Sequence, residues 1–220
     1  MNPTSFLRML AVASAFVAAA AVHASGVFVD AVVDVTPEGK AAATPGPGNP
    51  VYYLPYTVGY SEKGAWPAEA LPSIAQVQRQ VAVALASRGY LLGSRKSPPT
   101  LLLTLRWGRL APASDFARID NLDDDMATLV GGLSKGNDIN DPSEALKTQF
   151  RSDASSHRYY LVIEAYDFAA ATQKNKIPLW CARVSTDAVG ETLASAMPSL
   201  VAVAAPLLGE DVRPRVIAAP

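Results

Sequence analysis

Hydrophobic and polar positions alternate most clearly at two ends of this chain and in its middle. From Gly26 to Val35 the residues Val27, Val29, Ala31, Val33 and Val35 share one parity, and Asp30 and Asp34 share the other. That period of two predicts a half-buried first strand. Val51 to Tyr60 repeats the pattern with Tyr52, Leu54, Tyr56, Val58 and Tyr60, and Pro55 inside it predicts an edge position. Thr100 to Trp107 predicts a third strand with Leu101, Leu103, Leu105 and Trp107 on one face. The densest aromatic and β-branched stretch is RYYLVIEAYDF followed by AAATQKNK and IPLWCARVST, over Arg158–Thr186. It predicts two strands and a polar turn, with apolar residues on both faces, as suits the centre of a sheet.

A period of three to four residues marks two helices. Over Pro72–Arg88, Ile74, Val77, Val81 and Leu85 form an apolar stripe, Ser73 and Gln76 have capping-box spacing, and Gly89 suits a left-handed stop. Over Gly190–Leu208 the stripe is Leu193, Met197, Leu200, Ala204 and Leu208, with Pro198 expected to kink or restart the helix. The expected order is strand, strand, helix, strand, insertion, strand, strand, helix. This is an α+β fold: a two-layer sandwich of a mostly antiparallel sheet with two amphipathic helices on one face.

The remaining segments break this periodicity. Thr36–Pro50 is rich in proline and glycine and reads as a linker. A polar insertion spans about 108–157, long enough to be expected as a functional or mobile excursion. Gly209–Pro220 reads as a disordered tail. Residues 1–24 have the form of a secretory signal peptide: Arg8, the apolar run Met9–Val22, and a small-x-small site at Val22-His23-Ala24. The expected product is one domain over 25–208, periplasmic, without a membrane span after cleavage, and starting at Ser25. No cysteine lies near the cleavage site, so a lipoprotein is not expected.

Charge and composition then narrow the function classes. Without residues 1–24 the chain has 18 basic against 20 acidic residues, net −2, and no basic stripe for nucleic acid. The single cysteine, Cys181, has no internal disulfide partner and reads as a buried small residue.

Arg88-Gly89-Tyr90 at a helix end, the leucine strand Leu101–Leu105, then Tyr166-Asp167 and Leu179-Trp180 across a hairpin and a closing helix form a further pattern. Over about 51–208, apart from the insertion, it resembles domain-of-unknown-function families of small bacterial envelope proteins, many of them lipoproteins. The resemblance implies a periplasmic or outer-membrane-associated α+β domain and no known activity. The chain departs from that pattern in lacking a lipid-bearing cysteine and in carrying the insertion.

Two motifs have chemical content. Gly132-Leu133-Ser134-Lys135-Gly136 matches the G-x-S-x-G nucleophile elbow, and Asp138, Asp141 or Asp153 and then His157 follow in hydrolase order. The turn-like Asn137–Pro142 after it is not the helix an elbow requires, so Ser134 with His157 stands as an alternative, and no catalytic residue is the leading expectation. Asp120, Asp123, Asp124 and Asp125 offer oxygen ligands to a hard cation, but their spacing is not that of an EF-hand and equally suits a helix first turn. No phosphate loop, dinucleotide fingerprint or C-x-x-C is present. Seven tyrosines, Tyr52, Tyr53, Tyr56, Tyr60, Tyr159, Tyr160 and Tyr166, are expected in the sheet as packing or as an aromatic binding face. The expectation is therefore a non-enzymatic binding or structural module of the Gram-negative envelope. It needs no cofactor and engages an envelope protein partner, with the edge near Pro55 and the insertion as contact surfaces. The alternative is a secreted serine hydrolase.

Overall fold

The computed structural model describes residues 27–46, 48–111 and 156–219. The expected leader (1–24), Ser134 and the four aspartates of 120–125 lie outside these. Seven strands form one mixed sheet: β1 (Phe28–Val35), β2 (Val51–Lys63), β3 (Tyr90–Leu92), β4 (Leu101–Leu110), β5 (Arg158–Asp167), β6 (Pro178–Asp187) and β7 (Val212–Ala218). Their spatial order is β3-β2-β4-β5-β6-β1-β7. β2 runs parallel to both β3 and β4, and the other four pairings are antiparallel. Among the described residues four α-helices accompany the sheet: α1 (Pro37–Ala41), α2 (Ile74–Ser87), α3 (Phe168–Thr172) and α4 (Leu193–Ala204). The coarse expectation, α+β around one sheet, holds.

The helices begin where local chemistry starts them. Ser73 accepts from the Gln76 amide and Gln76 reaches back to Ser73, while Thr192 and Ser195 repeat this box at α4. Pro198 sits on the exposed side of α4 with Ala194, so the carbonyl freed by the missing N–H faces water and the helix continues. Val77, Val81 and Leu85 of α2 and Leu193, Met197, Leu200 and Val203 of α4 are buried in one cluster with Leu101, Leu103, Leu105, Leu161, Ile163 and Val33. The stripes were placed correctly except at Ile74, which is exposed.

Three expectations need correction. The apolar face of β2 is inverted over Tyr52–Val58. Tyr53 pairs with Leu101 on the core side, while Leu54, Tyr56 and Val58 are 46, 61 and 50% exposed. A register shift between Thr57 and Gly59 then flips the parity, and Tyr60 returns to the core side opposite Trp107. The second correction concerns the end of the chain: 212–218 is strand β7, paired with β1, and not a disordered tail. Its alternation is interrupted where the register shifts, around Arg213 and Pro214, and an edge strand tolerates such a proline. The third is the start of the insertion. Gly108, Arg109 and Leu110 still belong to β4, opposite Tyr160, Tyr159 and Arg158.

Pro55 does lie on an edge. The Val51 amide donates to Gly89 and the Gly93 amide to the Tyr53 carbonyl, so odd residues here point towards β3. β3 ends at the Tyr53–Leu92 pair, so Pro55 places its missing donor on the free margin beyond it.

Candidate functional site

Two places on the described surface gather side chains with chemistry. The larger is a cleft of about 570 Å³ at the end of the sheet where β2 and β4 begin and β5 ends. Its roof is the first part of the expected linker, and the sequence fastens that roof at both ends. Thr36 caps α1 by accepting from the Gly39 amide at 3.0 Å, and its hydroxyl donates to the Pro178 carbonyl at 2.8 Å. Gly39 lies so close to β6 that a Cβ there would be 2.0 Å from the Leu179 carbonyl oxygen. At the far end Gly46 exchanges two backbone hydrogen bonds with Asn49 and rests on Gly89, whose φ of 85° and contact with the Gly46 backbone both exclude a side chain. Ala41–Pro45 span the space between these anchors.

The floor is apolar. Tyr90 and Trp180 pack with ring centroids 5.6 Å apart at 59°, and Leu101, Leu179 and Leu208 continue the surface. Gly209 (φ 78°) lets the chain turn against this pair, since a Cβ there would be 2.4 Å from the Tyr90 hydroxyl. Burial pushes the Tyr90 phenol up to about 12, although a hydrogen bond with the Trp180 indole opposes the shift. The polar groups stand at the rim: Glu38, Arg88, Asp167 and Glu210. Arg88 donates to Glu210 at 2.9 Å, and Asp167 accepts from the Ala170 amide at 2.7 Å as the cap of α3.

The second place, at the other end of β4, is a polar knot around the buried Arg109. Its guanidinium bonds Glu62, the Tyr60 hydroxyl at 2.8 Å and the Pro67 carbonyl at 3.2 Å, pairs with Glu69 at 3.3 Å and lies 5.0 Å from the centre of the Trp66 ring. Glu69 also accepts from the Tyr159 hydroxyl at 3.0 Å and from the Leu193 amide at 3.2 Å, so it holds the first turn of α4. The hydrogen bonds from Tyr60 and Arg109 hold the Glu62 carboxyl below its ordinary range. Burial first, then bonding to a carboxylate, pushes Tyr60 and Tyr159 up to about 12. These groups satisfy one another, which is the arrangement of a structural clamp on the Gly64–Ser73 connection.

Of the sequence candidates only His157 lies among the described residues, and it does not line the cleft. His157 is exposed beside the Arg109 knot, edge-on to Trp66 with centroids 4.7 Å apart, and its proposed nucleophile Ser134 is outside the described residues. Among the described residues no group of three or more His, Cys, Asp or Glu is placed to hold a metal. The tyrosines do not form one binding face. By register Tyr53, Tyr60 and Tyr159 lie on the side of the sheet that carries the helices, and Tyr52, Tyr56, Tyr160 and Tyr166 on the other. Cys181 is half-buried on that other side, and burial raises its thiol pKa. Periodicity does not reveal the cleft, although Gly89 reads as a helix stop and Trp180 as part of the hairpin.

No protein-family model and no curated protein matches the chain. Among solved structures, a PDZ domain protein from Parabacteroides distasonis ATCC 8503 is similar at 10% identity with a TM-score of 0.43, over 87% of this chain and 39% of that one. This chain thus spans well under half the length of that protein. A PelC dodecamer from Paraburkholderia phytofirmans is similar at 12% identity with a TM-score of 0.37, over 83% of this chain and 98% of that one. Both likenesses are too distant to bear on what this chain does.

Proposed function

We propose that this chain is a non-enzymatic binding module of the bacterial cell envelope, delivered to the periplasm by the leader in residues 1–24, and that the roofed cleft is where it binds. In this reading the fold is a two-layer, mostly antiparallel sandwich, with α2 and α4 on one face and the cleft at one end. The observation that carries the proposal is the cleft itself. Its volume of about 570 Å³ falls in the range of small-molecule sites, its floor is apolar, and its few polar groups stand at the mouth. The roof supports the same reading, because it is tied by backbone contacts at Leu179 and Gly89, so the cleft is built in advance of any ligand. Among the described residues no helix is long and apolar enough to cross a membrane, which is consistent with release after cleavage.

The proposal is tested in cells. A photo-crosslinking amino acid is placed at Thr100, which lines the cleft, and as a control at Val189, which is also exposed but does not line it. The full chain is expressed, the periplasm is released by osmotic shock, and the intact mass is measured. The expected result is a periplasmic product starting at Ser25, with an adduct at Thr100 and none at Val189. A cytoplasmic product of full mass, or equal labelling at both positions, would overturn it.

A further inference from the structure

The charges at the mouth of the cleft specify a ligand class; this inference rests on the reading of the cleft as a binding site. Three carboxylates line the cleft, Glu38, Asp167 and Glu210, against one guanidinium, Arg88. Arg88 is already bound to Glu210, 2.9 Å away, so that pair is close to neutral. Lys40, on the same short helix as Glu38, pairs instead with Asp211 at 2.6 Å and does not line the cleft. Asp167 has one backbone donor, the Ala170 amide. The Glu38 carboxylate makes no hydrogen bond or ion pair with another described residue; only its backbone carbonyl is engaged, by the Ala42 amide. The mouth therefore keeps negative charge that nothing described neutralises, in the same cleft as an apolar and aromatic floor.

We propose that the cleft takes a small amphipathic cation. Its ammonium head is held at the mouth by Glu38 and Asp167, and its apolar or aromatic body lies over Leu101, Leu179 and the Tyr90–Trp180 pair. An anion of the same shape would meet two like charges and would lose affinity. A neutral analogue would keep the contacts with the floor and lose only the ion pairing.

The test is calorimetric titration of the full chain with phenylbutylamine, phenylbutanol and phenylbutyrate. The amine is expected to bind about tenfold more tightly than the alcohol, and the carboxylate most weakly. The advantage of the amine should shrink as salt rises from about 20 mM to about 500 mM, because the charges at the mouth are exposed. Glu38→Gln should remove most of that advantage and leave the alcohol unchanged; the Glu38 side chain is exposed and bonds nothing described, so the fold should survive. Thr100→Trp, which fills the cleft, should weaken all three probes. If the alcohol or the carboxylate binds as tightly as the amine, the cation assignment fails and the cleft stands. If none of the three binds, or if Thr100→Trp leaves binding unchanged, the cleft reading fails and the cation assignment with it.

Discussion

Arg183 is the most demanding single residue in the sheet. It is 3% exposed on the side away from α4, and its Nε has no hydrogen-bond partner among the described residues. Burial brings its pKa down to about 10, which still leaves it charged at neutral pH. One carboxylate, Asp34 on β1, bonds its guanidinium, and the side chain of Asp34 is 43% exposed. Stripping the partner from a buried charge is costly, while removing both charges often is not. Asp34→Ala should therefore destabilise the domain by about 1–3 kcal/mol, below the fully buried case because water reaches Asp34. Adding Arg183→Met to Asp34→Ala should restore most of the loss, as read by urea denaturation. A single mutant within error of the wild type would show that the pair contributes nothing. The sequence placed Asp30 and Asp34 on the solvent side of β1 by parity. It had no means of showing that Arg158 and Arg183 would lie across the register from them, since that pairing spans more than a hundred residues.

At the scale of elements, the segments with local signals were legible. Both helices, the Ser73–Gln76 capping box and the β5–β6 pair followed from periodicity and cap chemistry, because these are set by neighbours within a few residues, while the Thr192–Ser195 box emerged only in the structure. β2 was misread for the opposite reason. Every second residue on one of its faces is apolar, yet that face is the exposed one, and only its parallel pairing with β4 decides which side meets the helices. β7 was hidden by Pro214 and two arginines, since an edge strand needs only one neighbour and alternates weakly. The free margin of β2 carries a further prediction. Leu54, Tyr56 and Val58 leave the edge apolar, and Pro55 together with the irregularity at Gly59 blunts it by removing a donor and breaking the ladder. Pro55→Val should restore the donor and raise self-association, seen as concentration-dependent growth in sedimentation coefficient. A variant that stays as monodisperse as the parent would show that the proline has no such role.

At the scale of the whole molecule, the sequence indicated the class of fold but not the site. Its chemical candidates were Ser134, His157 and Asp120–Asp125, chosen by spacing, whereas the cleft is assembled from α1, the linker, the end of α2, β6 and the turn after α4. No spacing rule joins segments that far apart; the close glycines at 39, 89 and 209 are the nearest thing to a local signature. Four tyrosines, Tyr60, Tyr90, Tyr159 and Tyr166, are held at about 12, in each case mainly by burial. A phenol whose folded pKa lies above its unfolded value of about 10 stabilises the native state fully below that pH. The contribution disappears as pH rises towards 12. The absorbance change of these four phenols should therefore coincide with loss of secondary structure between about pH 10 and 12, and not precede it. Full ionisation of all the tyrosines in a still-folded chain near pH 10 would contradict this.

The claim that the chain binds through the roofed cleft is tested most directly by hydrogen exchange. The full chain is expressed in a Gram-negative host and compared in a fresh cell extract and after purification away from it. Slower exchange in the extract is expected for Glu38–Pro45 and Leu208–Asp211, with no change at Leu54–Val58. Protection confined to the Leu54–Val58 edge, or none at the cleft, would place the binding surface elsewhere and contradict the account.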